Sequence, residues 1–323
     1  MNIIIDKHGT FIGKKQGRLV LYTDEKSEEY SITNIERIIL YKSCGISSSA
    51  IALIVNSKKD LTFMDRFGMP VAKLYYITNE NFPILRKMQY KKSIEKNIDI
   101  IQGIVHACIK NKIGIIKSLA YSRKRTSKEK CNLLMKYAGQ LETWLSKIYQ
   151  KQSIEELRGI EGISAKLYFE SLRKIIPKFF RFNGRTRPPQ DIVNASLSYG
   201  YGILFSELWK YLVMKGFDPY IGFYHEEKGR KPCLVLDFME EFRQPIVDST
   251  ILRLVFKKIL NPKKHGGMYL NEKGRKIVIE NVLNKLDKTK SLIKKRINHW
   301  VDYILDRSEF VPFGESNACN NKL

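Results

Sequence analysis

The sequence predicts a two-domain α+β protein: a β-rich, sandwich-like domain over residues 1–77, a linker over 78–84, and a larger all-α domain over 85–323. Three observations predict it. Short β-branched and aromatic runs alternate with turn residues up to about residue 77. The polar, proline-closed stretch Thr78-Asn79-Glu80-Asn81-Phe82-Pro83 breaks both periodicities. From Leu85 onward, apolar residues recur at three and four spacing.

In the first domain, strands are predicted over 3–5, 10–14, 18–22, 30–32, 35–41, 61–64 and 71–76. Ser47-Ser48-Ser49 caps a short apolar helix over 50–55 that covers one sheet face, and Asp65-Arg66-Phe67-Gly68 reads as a hairpin turn. His8 beside Asp6 reads as a solvated turn histidine. No cluster of catalytic residue types occurs here, so scaffolding or self-association is the expected role.

The helical part opens with a helix over 85–121, whose apolar stripe (Ile94, Ile98, Ile101, Ile104, Val105, Cys108) leaves Lys87, Lys91, Lys92, Lys96, Lys110 and Lys112 elsewhere. A second helix covers 128–147, with Arg123-Lys124-Arg125 as a basic corner between them. Each lysine alone reads as a solvated side chain; together they form a surface suited to tracking a phosphate backbone. Ser153 and Glu156 make a capping box for the next helix. That helix carries Glu161 among Gly159, Gly162, Ser164 and Ala165, which implies close packing or close approach of a ligand. A carboxylate packed in this way needs a partner, either Arg158 or Arg185 or a metal.

Residues 177–187 mix Lys178, Arg181, Arg185 and Arg187 with Phe179, Phe180 and Phe182. The basic groups can hold phosphates and the rings can stack on bases, but at least two of the three rings are expected in the core. Asp191 caps an apolar helix over 192–212, and Gly216 ends it. An extended strip over 220–224 then delivers His225, followed by a polar turn at 226–231. A helix is predicted to start at Asp237, with Glu240 three residues on. That spacing fits an N-cap with a reciprocal carboxylate, and it equally fits two carboxylates turned to one site. Residues 247–306 read as helical and strongly basic, including Lys294, Lys295 and Arg296, and the polar end 313–323 reads as frayed.

The chain of 323 residues carries a formal net charge of +24, which favours a polyanionic partner, nucleic acid before an anionic membrane; a merely lysine-rich surface is the bland alternative. Composition leaves DNA and RNA open. The five cysteines form no C-x-x-C pair, which fits a reducing compartment and suggests no zinc site. No stretch approaches the roughly 20 apolar residues of a membrane span, and the start of the chain is a poor signal peptide. A soluble cytoplasmic protein is expected.

Glu161, His225 and Glu240, with Asp237 nearby, offer hard carboxylate donors and one imidazole, a set suited to Mg²⁺ or Mn²⁺ rather than zinc. Such an ion can polarise a phosphodiester and orient the groups that attack and leave it. The residues alone reach a metal-dependent phosphoryl-transfer enzyme. A non-catalytic nucleic-acid scaffold, in which the three residues only cap and pair, and an RNA nuclease are the competing readings.

Three ordered segments carry a resemblance: RGIEGISAKLYFESL, RTRPPQDIVNASLSYGYGIL and GFDPYIGFYHEEKGRKPCLVLDFMEEFRQPIVD, with Ser31 to Val55 and LTFMDRFGMPVAKL upstream. Together they resemble the CRISPR-associated Cas1 integrase family, the larger subunit of the spacer-adaptation complex, over nearly the whole chain. The resemblance implies a β-rich dimerisation domain and an α-helical catalytic domain. It implies a metal site of Glu161, His225 and Glu240, with Asp237 at a further acidic position. It also implies double-stranded and branched DNA as substrates, prespacer and CRISPR repeat joined by transesterification. A homodimer and a small adaptation Cas subunit bridging two dimers are the implied partners. Arg185, Arg187, Lys178, Arg181, Lys294 and Lys295 would hold the DNA. Tyr168, Asn194 and Arg243 match family positions and would support the site.

Overall fold

The computed structural model describes residues 1–41, 44–65, 70–74, 83–95, 97–151, 153–225 and 231–314. The chain divides into two compact units, Met1–Glu80 and Asn81–Leu323. Most of the expected turn at 65–68, nearly all of the linker, the turn at 226–231 apart from its last residue, and Cys319 lie outside the described residues.

The first unit comprises β1 (Asn2–Ile5), β2 (Phe11–Lys15), β3 (Arg18–Tyr22), β4 (Ser27–Tyr30), β5 (Arg37–Tyr41), β6 (Gly45–Ile46), α1 (Ser48–Asn56), β7 (Asp60–Met64) and β8 (Pro70–Leu74). One sheet has the order β1-β5-β7-β8 and the other β4-β3-β2-β6. Strand β5 is parallel to both of its neighbours and buried along its whole length, as its run of Ile38, Ile39 and Leu40 requires. Strands β2 and β3 are joined by Gln16-Gly17, both at positive φ, the two-residue hairpin geometry that favours glycine. Ile3, Ile38 and Leu61 from one sheet, Ile12 and Leu19 from the other, and Ala50 and Ile54 from α1 share one core. Ser47 accepts from the Ala50 amide at 3.2 Å and so caps α1. The strand expected at 30–32 ends at Tyr30, because residues Ile32–Asn34 turn as a 3-10 helix. The two-residue β6 has no counterpart in the sequence reading.

The second unit contains α2 (Pro83–Ile94), α3 (Ile98–Tyr121), α4 (Lys128–Leu145), α5 (Ile154–Ile175), α6 (Ile192–Met214), α7 (Cys233–Met239), α8 (Ser249–Phe256), α9 (Pro262–His265) and α10 (Glu272–Ile304). The single helix expected over 85–121 is two, since the Asn97 side chain accepts from the Asp99 amide at 3.0 Å and starts α3 afresh. Ser153 and Asp191 cap α5 and α6 as their sequences suggest. The helix expected at Asp237 begins four residues earlier, after Pro232, so Asp237 lies inside α7 and caps nothing. Between α7 and α8, Arg243–Asp248 form a π-helical turn, a wide geometry concentrated at functional sites. Helix α6 is apolar on all sides and packs against α7, α8, α10 and the π turn. Among the described residues, no helix is long and apolar enough to cross a membrane.

Arg296, in the strongly basic stretch 247–306, is buried rather than part of a solvated face. It makes a two-pronged contact of 2.6 Å per arm with Glu241, whose Oε1 also accepts from Trp300 Nε1 at 3.3 Å. This pair ties α10 to the end of α7. Removing one member strands a buried charge, so Arg296→Met is expected to cost about 3–5 kcal/mol in urea unfolding. The double variant with Glu241→Met should cost clearly less than the sum of the single changes.

Candidate metal centre in a basic cleft

The extended strip before His225 passes unusually close to α7. A Cβ on Gly222 would stand 2.7 Å from the Cys233 Cβ and 2.8 Å from Asp237 Oδ2, so only glycine permits this approach. The closeness lets Asp237, fully buried, accept from the backbone amides of Phe223 (2.6 Å), Tyr224 (3.0 Å) and His225 (2.9 Å). The same carboxylate accepts from His225 Nδ1 at 2.6 Å. A proton held on Nδ1 leaves the Nε2 lone pair available as a ligand or base. Nε2 points to the Glu240 carboxylate, 4.0 Å from Oε1.

Glu240 sits just past the end of α7 and is almost fully buried. Its Oε1 forms an ion pair of 2.6 Å with Arg243 Nη1. Its Oε2 receives the Cys108 thiol at 3.4 Å. Burial pushes that thiol up from its ordinary range. Glu161, from α5, accepts from the Tyr224 hydroxyl at 2.7 Å, and burial together with this carboxylate drives the Tyr224 phenol up. Donor atoms of Cys108, Glu161 and Glu240 lie within 4.8 Å of one another. A divalent cation with ligand distances of about 2.1–2.5 Å spans roughly 4–5 Å between opposite donors. The Glu161 and Glu240 carboxylates fit such an ion, whereas the Cys108 thiol, held protonated by burial, is a poor donor to a hard cation, and His225, which lines the same cleft, is not one of the donors gathered within that distance.

Glu161, His225 and Glu240 line one cleft of about 490 Å³, together with Lys112, Arg185, Arg187, Lys231 and Arg243. Arg187 is exposed at the cleft, whereas Arg185 is held from within by Asn194 Oδ1 (3.0 Å), Ser198 Oγ (2.9 Å) and the Thr186 carbonyl (2.9 Å). Lys178, Arg181, Lys294 and Lys295 are exposed and do not line it. Phe180 and Phe182 are core residues and Phe179 is exposed. Gly159 and Gly162 face open space rather than close packing, because nothing lies within 4 Å of a Cβ placed there. Arg158 donates to the Tyr224 carbonyl at 3.1 Å.

Sequence reasoning missed Cys108, Lys112 and Tyr224. A signal existed for Lys112, which falls one turn after Cys108 on the apolar stripe of α3 and is a buried cation, not part of the solvated face. It also passed over Asp248, at the end of the π turn, which accepts from Tyr168 (2.9 Å) and Tyr201 (2.5 Å). Burial raises the Asp248 carboxyl to about 6, against the pull of the two phenols and of Arg185 and Arg243. Tyr201 lines the cleft and receives the Arg185 and Arg243 guanidinium groups over its ring at 5.7 and 5.5 Å.

The fold and this site define a two-unit α+β protein that gathers carboxylates, an imidazole and cations in one cleft of its helical unit. The chain belongs to the family described as CRISPR associated protein Cas1, which its sequence matches over residues 3–284. It is 33% identical to a CRISPR-associated protein Cas1 of Methanobrevibacter ruminantium, covering 88% of this chain and 87% of that one. It is 28% identical to a CRISPR-associated endonuclease Cas1 of Archaeoglobus fulgidus over 89% and 88% of the two chains. A casposase bound to integration product has the same fold, with a TM-score of 0.82 at 21% identity over 97% of this chain and 93% of that one.

Because the Asp248 carboxyl is raised in the fold from an ordinary 3.8 to about 6, the native state holds its proton over a pH range where the unfolded chain has lost it. Its contribution to stability therefore falls as pH rises from about 4 to 6. Asp248→Asn should remove that fall, so the stability of the variant relative to the wild type should rise by about 3 kcal/mol across the window. Urea unfolding at a series of pH values measures it.

Proposed function

We propose that the chain is a divalent-metal-dependent DNA endonuclease and integrase of CRISPR adaptation. The observation that carries this reading is the convergence of Glu161, His225 and Glu240 in one basic cleft, in a chain of the Cas1 family. The endonuclease name of the Archaeoglobus fulgidus relative and the casposase fold support it. The substrates are a prespacer with a free 3′ hydroxyl and the CRISPR repeat. The 3′ oxygen forms a new P–O bond at a repeat phosphodiester, the bond to the departing 3′ oxygen breaks, and the proton passes from the attacking to the leaving hydroxyl. On branched DNA the reverse exchange releases an arm.

Glu161, His225 Nε2 and Glu240 would hold Mg²⁺ or Mn²⁺, which supplies Lewis-acid charge to the phosphodiester when bound. Asp237 holds the His225 ring in the orientation and tautomer that present Nε2, and is a positioning residue here rather than a ligand, since its oxygens are filled by four donors. Tyr224 steadies the Glu161 carboxylate. Arg187 and Lys231 meet the phosphate backbone at the cleft, and Lys178, Arg181, Lys294 and Lys295 extend the basic surface beyond it. The strand-rich unit serves a homodimer, and a small adaptation Cas subunit bridges two such dimers.

Strand transfer and arm release on branched DNA, run with Mn²⁺, Mg²⁺ or chelator, test the reading. Product should require metal and fall about a thousandfold, roughly 4 kcal/mol, in Glu161→Ala and His225→Ala while DNA binding persists. Tight binding without product under any metal would favour a scaffold, and product from RNA alone would favour an RNA nuclease. Arg187→Ala should weaken DNA binding to a similar degree across sequences and lower the slope of log affinity against log salt by about one.

A further inference from the structure

Lys112 is 3% exposed, yet it lines the cleft that holds Glu161 and Glu240. Among the described residues, its hydrogen-bond partner is a neutral hydroxyl, Ser164 Oγ at 3.0 Å, and no carboxylate lies within ion-pair reach. Ser164 in turn donates to the Glu161 carbonyl at 2.7 Å, which fixes the ammonium beside the backbone of a candidate ligand. Arg296, also buried, has Glu241 as its counter-charge, and Arg243 at the same cleft has Glu240. An ammonium taken out of water without an anion is costly, and a hydroxyl offsets only part of that cost. The Glu161 and Glu240 carboxylates line the same cleft but stand beyond ion-pair reach, so an anion entering the cleft would be the direct partner of this ammonium.

We infer that Lys112 is a catalytic residue that contacts a non-bridging oxygen of the scissile phosphodiester and stabilises the charge that grows there as the new P–O bond forms. The inference rests on the proposed phosphodiester chemistry of this cleft. Lys112, on α3, lines the cleft together with Arg187 and Lys231. A preorganised donor in a water-poor site acts most strongly where charge develops in the transition state.

The alternative is that Lys112 only anchors Ser164 and so holds α5 in place. A cycle on the scissile group separates the two. Single-turnover strand transfer is measured for the wild type, Lys112→Met and Lys112→Gln, on DNA carrying either the ordinary phosphate or an uncharged methylphosphonate at the scissile position. The glutamine keeps a donor for Ser164 and loses the charge, and it also serves if the methionine variant fails to fold. With the phosphate, both variants should be slower by about 10²–10³-fold. With the methylphosphonate, that difference should shrink to within about threefold. An equal slowing on both substrates, or a glutamine variant as fast as wild type, would overturn the inference while leaving the proposed function intact. Absence of metal-dependent product from the wild type on the ordinary phosphate would sink the functional reading and this inference with it.

Discussion

The helical unit depends on one carboxylate, Asp237. It is completely buried and accepts from three consecutive backbone amides and one imidazole nitrogen, so its desolvation is offset by a full set of donors. Three amides in a row would otherwise be unpaired in an irregular strip at the edge of the cleft. Asp237 turns that strip into a fixed support and sets the His225 ring at the same time. A buried charge used in this way specifies geometry more than it stabilises the fold.

Other features follow from that arrangement. The strip must run against α7, which is why Gly222 stands where any Cβ would collide with Cys233 and Asp237. Glu240 lies three residues beyond Asp237, so the helix that fixes the imidazole also aims the carboxylate facing it. The Glu241–Arg296–Trp300 cluster then holds that end of the helix against α10. The π turn after it places Arg243 and Gln244 at the cleft and sends Asp248 inward to the phenols of Tyr168 and Tyr201. From helix α3, Lys112 lines the cleft and the Cys108 thiol donates to Glu240.

Much of this was legible in the sequence. Local signals were faithful where the physics is local: Ser47, Ser153 and Asp191 cap the helices they precede, and the strand runs of the first unit pair into two sheets. Glu161, His225 and Glu240 are grouped by residue type and again by the family resemblance; their meeting in one cleft is a property of the packed helices that no spacing conveys. The role of Asp237 was hidden because its spacing from Glu240 imitates a capping box, and the true start of α7 is set by Pro232 and tertiary contacts. Lys112 and Arg296 were hidden for a related reason. Lysine and arginine ordinarily mark a solvated face, and only their partners in three dimensions show that these two are inside.

Under the proposed function, the imidazole held by Asp237 and the two glutamates form one divalent-metal site. Titration of the DNA-free protein with Mn²⁺, followed by loss of the free-ion paramagnetic resonance signal, tests it most directly. One site per chain is predicted for the wild type, with affinity weakened about 10–100-fold by Asp237→Asn and at least as much by Glu240→Gln. Binding that is absent in the wild type, or unchanged in both variants, would contradict the account.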